Sequence, residues 1–367
     1  MDVVRGELFG LATSVGPVPF TDVPEAVDFA RRAHERFPTV PVLARPSASL
    51  LGQVVDGIAG VSLDPDGPTT GALVVDPGSF DPGSFDPGSF DPGSVGSGSV
   101  DPDGGVLEAF LSSGASNVTA VRVPVLGPVT TALSLRTAGV EQSAAVSLAT
   151  RAVAARAVAI SERIARAWPD VPQVVVLSEP GLVGSLHPTF PFGRDQVRSA
   201  LLDPVVDALD RGPLRTGTPL RPAAGTSDTG VAHRIGLHVP GRTDWDTLVG
   251  SGVSFVSLPA DPTVGPWAGP LGRLVAAGGL IAWGAVPVDR PLGTRSDSLW
   301  QRLTAAFALL SADGVDPMEL RLHSLVSATD GLAHFDPPGA GRVVDLCTDL
   351  SSRLRRQSMA ARLSLGA

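Results

Sequence analysis

The chain has 367 residues, 43% of them hydrophobic, and a formal net charge of −9, so it can form one large domain or two ordinary ones. Its 28 basic residues are all arginine, which excludes a Schiff-base lysine and a phosphate-binding-loop lysine. The acidic balance, without a basic stripe, argues against nucleic acid as a partner. Neither a secretory signal nor a run of about 20 apolar residues is evident, so we expect a cytoplasmic protein that does not contact membranes.

Short apolar runs bounded by turn residues predict eight strands, and stretches with helical periodicity separate them. The predicted strands are 11–15, 39–44, 118–126, 173–177, 235–239, 253–258, 280–286 and 320–326. The predicted helices are 21–36, 142–168, 194–209, 269–277, 296–311 and 343–355, the first of them capped by Thr21. Continuous apolar strands alternating with helices indicate a parallel sheet covered on its outer face.

This alternation predicts a single (β/α)8 TIM barrel spanning residues 1–367. The alternative is a doubly wound open sheet, but the first predicted strand lacks the glycine-rich dinucleotide turn of that fold. The only cysteine, Cys347, falls in a predicted helix, so we expect neither a disulfide nor a thiolate metal cage.

Residues 76–105 form a low-complexity insertion within the predicted barrel. The pentapeptide Asp-Pro-Gly-Ser-Phe starts at Asp76 and is repeated at Asp81 and Asp86 before it decays. One Phe per five residues cannot offset the entropy of ordering the chain, so we predict a disordered segment on the catalytic face. A calcium-binding repeat is the alternative, but one Asp per pentapeptide supplies few ligands.

The active site of such a barrel lies where strands end and helices begin. The predicted strand ends place His238, Asp261 and Asp330 there as candidate catalytic or metal-binding residues. Trp283, also at a strand end, offers a face for stacking on an aromatic ligand, the alternative being a core position.

Several short motifs occur in one order along the chain. They are 13–19 (Thr-Ser-Val-Gly-Pro-Val-Pro), 127–130 (Gly-Pro-Val-Thr), 178–182 (Ser-Glu-Pro-Gly-Leu), 236–245 (Gly-Leu-His-Val-Pro-Gly-Arg-Thr-Asp-Trp), 281–287 (Ile-Ala-Trp-Gly-Ala-Val-Pro) and 327–332 (Ser-Ala-Thr-Asp-Gly-Leu). In this order they resemble the catalytic barrel of the cobalamin-independent methionine synthases, a branch of the barrels that include uroporphyrinogen decarboxylase. The resemblance implies a single-barrel form of that family.

The resemblance also implies the chemistry. The family binds zinc through one His, two Cys and one Glu, and transfers a methyl group from a folate-type donor to a thiol such as homocysteine. This chain keeps His238, has Pro240 and Asp330 at the cysteine positions, and has Asp261 near the glutamate position. A metal site would therefore consist of His238, Asp261 and Asp330, with zinc affinity weakened by the loss of both thiolates.

The same resemblance places substrate contacts at Gly16, Glu179 and Asp244, with Glu179 receiving a substrate ammonium group. The expected partner is a small molecule, either an amino-acid thiol or a pterin. The first alternative is a catalytically degenerate barrel that binds a metabolite without metal or methyl transfer. A decarboxylase-like activity is the second alternative, although no specific arginine cluster for a polycarboxylate is evident.

Overall fold

The computed structural model describes residues 8–64, 72–83, 103–212, 214, 233–290 and 296–364. A small antiparallel hairpin of β1 (Val61–Leu63) and β2 (Leu73–Val75) precedes a parallel sheet. The sheet has six strands in sequential order: β3 (Val121–Leu126), β4 (Gln173–Ser178), β5 (Arg234–His238), β6 (Phe255–Pro259), β7 (Leu280–Val286) and β8 (Ser324–Ala328). The predicted α/β class with a parallel sheet is therefore confirmed.

Helices connect and cover these strands. The α-helices are α1 (Val23–Ala33), α2 (Leu50–Val55), α3 (Val106–Ser112), α4 (Pro128–Thr137), α5 (Gln142–Ala167), α6 (Asp203–Arg211), α7 (Trp245–Val249), α8 (Ala268–Ala276), α9 (Ser296–Ala312), α10 (Pro317–Leu322) and α11 (Pro337–Ser364). A π-helical segment, Gln196–Leu202, leads into α6, and 3-10 turns occupy Pro46–Ala48, Pro180–Leu182 and Pro262–Trp267.

The sheet is a six-stranded half-barrel, so the predicted eight regular strands are wrong at 11–15 and 39–44. These two segments make only isolated parallel bridges: Ala12 pairs with Val326 on β8, and Thr39 pairs with Arg122 on β3. A third bridge, between Pro17 and Val42, joins the two segments to each other. Pro17 follows the first segment and Pro41 lies within the second, and a proline cannot donate to a ladder, which limits regular pairing there.

Alternate residues of the strands belong to two separate apolar cores. One core contains helix side chains together with outward-facing strand residues such as Val175 and Trp283. The other lies on the inner face of the half-barrel and includes Val176, Phe255 and Leu325. Because side chains alternate along a strand, Trp283 points away from the inner face, on which His238 lies.

The first helix is capped one residue later than predicted and ends at Ala33 rather than at residue 36. The side chain of Asp22, rather than that of Thr21, accepts a hydrogen bond from the backbone N–H of Glu25 at 3.1 Å. Thr and Asp are both favoured at the helix N-cap, and the sequence alone does not show which of these two neighbouring residues occupies it.

Only the two ends of the 76–105 insertion, residues 76–83 and 103–105, fall among the described residues. Residues 76–83 form turns, in which the Asp76 carboxylate accepts hydrogen bonds from the Gly78 N–H and the Ser79 hydroxyl. Phe80 packs partly buried against the outer core. Residues 84–102 lie outside the described part, so the predicted disorder stays a prediction there.

One described helix, α5, is long and apolar enough by length and composition to cross a membrane. About 56% of its apolar window is buried within the protein, as in the core helix of a soluble domain.

Candidate functional site

His238 ends strand β5 on the inner face and is almost completely buried. Its Nδ1 lies 2.9 Å from the Ser257 hydroxyl on the neighbouring strand β6. Its Nε2 lies 3.7 Å from Asp330 Oδ1, which is too long for a hydrogen bond. Burial lowers the pKa of His238 and outweighs the opposite effect of Asp330. The imidazole is therefore held neutral and fixed in orientation by Ser257.

Asp330 follows β8, and its side chain is about half exposed at the mouth of the half-barrel. One of its oxygens accepts a hydrogen bond from the Gly331 N–H at 2.7 Å. The structure thus brings His238 and Asp330 together at the carboxyl end of the sheet, where the sequence predicts them to lie. Pro240 lies beside them and lines the same opening.

Asp261 does not join this pair. Its carboxylate caps the 3-10 turn Pro262–Trp267 by accepting from the Thr263 N–H at 2.9 Å, and it forms a 3.5 Å ion pair with Arg302. Within the described ranges, no group of three or more His, Cys, Asp and Glu side chains is placed to hold a metal ion.

These donors do not fit a zinc site. A structural or catalytic zinc needs three or four ligand atoms in tetrahedral reach, commonly including thiolates. Only His238 Nε2 and the Asp330 carboxylate remain as donors, because the Asp261 carboxylate contacts Arg302 and Pro240 has no side-chain donor; two donors are fewer than zinc needs. We therefore derive no chemical step through a metal.

Glu179 is buried at the carboxyl end of β4 and contacts the start of helix α4. Its carboxylate accepts hydrogen bonds from the Val129 N–H at 2.8 Å, the Thr130 N–H at 2.7 Å and the Thr130 hydroxyl at 2.6 Å. Burial raises the pKa of Glu179 to about 7, against these three hydrogen bonds, which favour the ionised form. The geometry assigns Glu179 to the helix N-terminus, which offers its free N–H groups to an anion.

The contact between Glu179 and α4 requires a glycine at position 127. A Cβ atom on Gly127 would lie 2.2 Å from the Glu179 carboxyl carbon. The Gly-Pro-Val-Thr motif thus has a structural explanation: Gly127 admits the carboxylate, and Val129 and Thr130 donate to it.

The remaining predicted substrate residues have separate positions. Asp244 caps helix α7 and forms a 2.7 Å ion pair with Arg194. Gly16 has a φ of 141°, and its carbonyl accepts from the Val42 N–H at 3.0 Å. Neither residue borders the opening beside Asp330.

Trp283 is a core residue, as the alternative interpretation of the sequence had it. Its indole N–H donates to the Ser324 hydroxyl at 2.8 Å, and its ring contacts Phe307 of helix α9 edge-on at 5.4 Å between centroids. The side chain is fully buried between the sheet and that helix. It therefore has no face free for a ligand.

A cleft of about 460 Å³ opens above the carboxyl ends of β5 to β8. This volume falls within the range of small-molecule sites. Its lining combines apolar rings with charged groups at the rim; it includes Pro240, Arg242, Trp245, Asp261, Trp267, Arg302, Asp330, His334 and Phe335. Sequence reasoning missed Arg242, Arg302 and His334 because, in the sequence, a charged residue of a loop or helix resembles any solvated side chain.

A scan against models of protein families finds no match, and a search of curated proteins finds none either. The resemblance to the methionine synthases therefore depends on the ordered motifs alone, and the cleft must be interpreted from its own residues.

Proposed function

We propose that this protein is a degenerate (β/α)8 barrel that binds a small metabolite in the cleft above β5 to β8 without a metal ion. In this proposal the bridged segments 11–15 and 39–44 occupy the places of two barrel strands but are irregular. One observation carries the metal-free part: of the residues at the family's ligand positions, Asp261 is paired with Arg302 and Pro240 has no donor, which leaves only His238 and Asp330.

The cleft lining supports a ligand with an apolar body and charged ends. Trp267 and Phe335 supply aromatic surface, while Arg242 and Asp330 supply opposite charges at the rim. Sites for small molecules commonly combine mostly apolar walls with a few polar groups that orient the ligand. An amino acid, which carries both a carboxylate and an ammonium group, matches this lining, and so does a pterin.

Methyl transfer from a folate-type donor to a thiol such as homocysteine is the second candidate. It is favoured by His238 and Asp330, which lie together at the strand ends where the family resemblance requires them. Without a metal the thiol would need another means of deprotonation, and a buried neutral imidazole provides a weak one. A methyl-transfer assay with homocysteine distinguishes this candidate from binding alone.

A thermal-shift panel of amino acids, including homocysteine and methionine, and of pterins tests the binding proposal. We expect at least one compound to raise Tm in a saturable way, because a ligand that binds only the native state stabilises it. In Asp330→Ala the same compound should give less than half of that rise, because a carboxylate at the rim that orients the ligand is lost.

Asp207→Ala is the matched control, since Asp207 is an exposed aspartate paired with Arg211 on helix α6, far from the cleft lining. The control should respond like the wild type. An equal loss in both variants, or no response to any compound, would contradict binding in this cleft.

A further inference from the structure

Arg122 on strand β3 is completely buried, with 0% of its surface exposed. None of its three guanidinium nitrogens has a hydrogen-bond partner among the residues that the structure describes. Its neighbour is the Phe255 ring, whose centroid lies 5.5 Å from the guanidinium carbon. A guanidinium keeps its charge under ordinary conditions, so a cation is enclosed here without a counter-charge.

A second buried arginine of this chain does have partners for its positive charge. Arg156 on helix α5 is also buried, but its Nη2 lies 3.4 Å from the Asp103 carboxylate and 3.0 Å from the Gln53 side-chain oxygen. Burying an unpaired charge costs several kcal/mol, which explains why such a partner is normally present. Arg122 has no carboxylate at ion-pair distance within the described ranges.

Arg122 lies on the inner face of the half-barrel, which is mostly apolar. Val121 and Val123 belong to the outer core, so Arg122 points inward by strand alternation, towards the side that carries Phe255 and His238. Two other groups on this face, His238 Nε2 and the Ser327 hydroxyl, are buried without a hydrogen-bond partner among the described residues. A ring nitrogen, a hydroxyl and a cation on this face thus lack hydrogen-bond partners among the described residues.

Two carboxylates at the carboxyl ends of the strands, those of Glu179 and Asp330, have other surroundings. Glu179 contacts the N-terminus of α4, and Asp330 lies half exposed at the cleft above. Neither forms an ion pair with Arg122 in the described structure. Among the described residues, no carboxylate therefore neutralises the Arg122 guanidinium.

We propose that the inner face of the half-barrel binds a small monoanionic group against the Arg122 guanidinium, beside Phe255. The group is either a halide such as chloride or the carboxylate of a small organic acid. An arginine suits both, since it offers several N–H donors to one anion. This site lies on the inner face, whereas the cleft of the proposed function lies above the strand ends, so either proposal can fail without the other.

Thermal unfolding in sodium chloride, bromide or formate, at constant ionic strength against sodium gluconate, tests this site. Gluconate is too large for an enclosed site and serves as the baseline. We expect a saturable rise in Tm with the small anions, because they bind the native state. Competition between bromide and formate would show that the halide and the carboxylate share one site.

Two variants test whether Arg122 causes the rise in Tm with small anions. In Arg122→Met the rise should disappear, and the variant should be at least as stable as the wild type in gluconate, because an unpaired buried cation has been replaced by an apolar side chain. Arg156→Met is the matched control: it removes a buried but paired arginine, should lower Tm, and should keep the anion response. An equal response in Arg122→Met would overturn the proposal.

Diffraction from wild-type crystals grown in bromide gives an answer that does not depend on the variants folding. We expect an anomalous peak next to the Arg122 guanidinium. Its absence at a bromide concentration that saturates the Tm response would also overturn the proposal.

Discussion

Replacing Glu179 by Ala should destabilise the protein by about 3 kcal/mol or more, because three buried donors lose their acceptor. Those donors are the Val129 N–H, the Thr130 N–H and the Thr130 hydroxyl. Glu179→Gln should recover only part of the loss, since an amide has one oxygen and would turn an N–H group towards these donors. Urea unfolding followed by circular dichroism measures both variants.

Glu141 provides the matched control for this expectation. It also accepts hydrogen bonds at a helix start, from the backbone N–H groups of Ser143 and Ala144, but on the exposed end of α5. Glu141→Ala should therefore cause a much smaller loss, because water replaces the carboxylate. Equal losses at the two positions would show that Glu179 is not buried against α4. Equal losses would instead favour Glu179 as the residue that binds a substrate ammonium group.

The free energy of unfolding should fall by up to about 3 kcal/mol as the pH drops from 6.5 to 4, as a result of His34 alone. Burial lowers the pKa of His34 from 6.5 to about 4. Between these values the unfolded chain binds a proton that the folded chain does not, so acid favours unfolding. The stabilisation is complete above pH 6.5 and is lost as the pH falls towards the folded pKa.

His34→Gln removes this titration and should flatten the stability profile over that range relative to the wild type. His187→Gln, at an exposed loop position, should leave the profile unchanged. Denaturant unfolding at several pH values measures the slopes. A wild-type slope retained in His34→Gln would contradict the burial of this imidazole.

The sheet was predictable where burial on both faces leaves a continuous apolar run. Strand β7 has the predicted bounds, 280–286, and β4 differs from its prediction by one residue. The last strand was predicted to begin at 320, but Asp316 caps a helical turn that begins at Pro317, and β8 begins only at Ser324. There a helix cap followed by proline outweighs the apolar pattern.

The candidate site was predictable only in part. A residue at a strand end can be placed at the rim, which holds for His238 and Asp330. What each side chain contacts depends on neighbours distant in sequence, such as Ser257 for His238 and the start of α4 for Glu179. His34 depends on distant neighbours in the same way: it lies in a charged sequence, but α1 ends at Ala33 and His34 itself is 7% exposed.

The zinc content of the purified protein, after equilibration with excess zinc and dialysis, tests the metal-free cleft most directly. We expect well under one zinc ion per chain in the wild type, and no difference in His238→Ala, because Asp261 is paired with Arg302 and only two donors, His238 Nε2 and Asp330, remain. One zinc ion per chain that disappears in His238→Ala would contradict this account and would restore a metal centre to the mouth of the half-barrel.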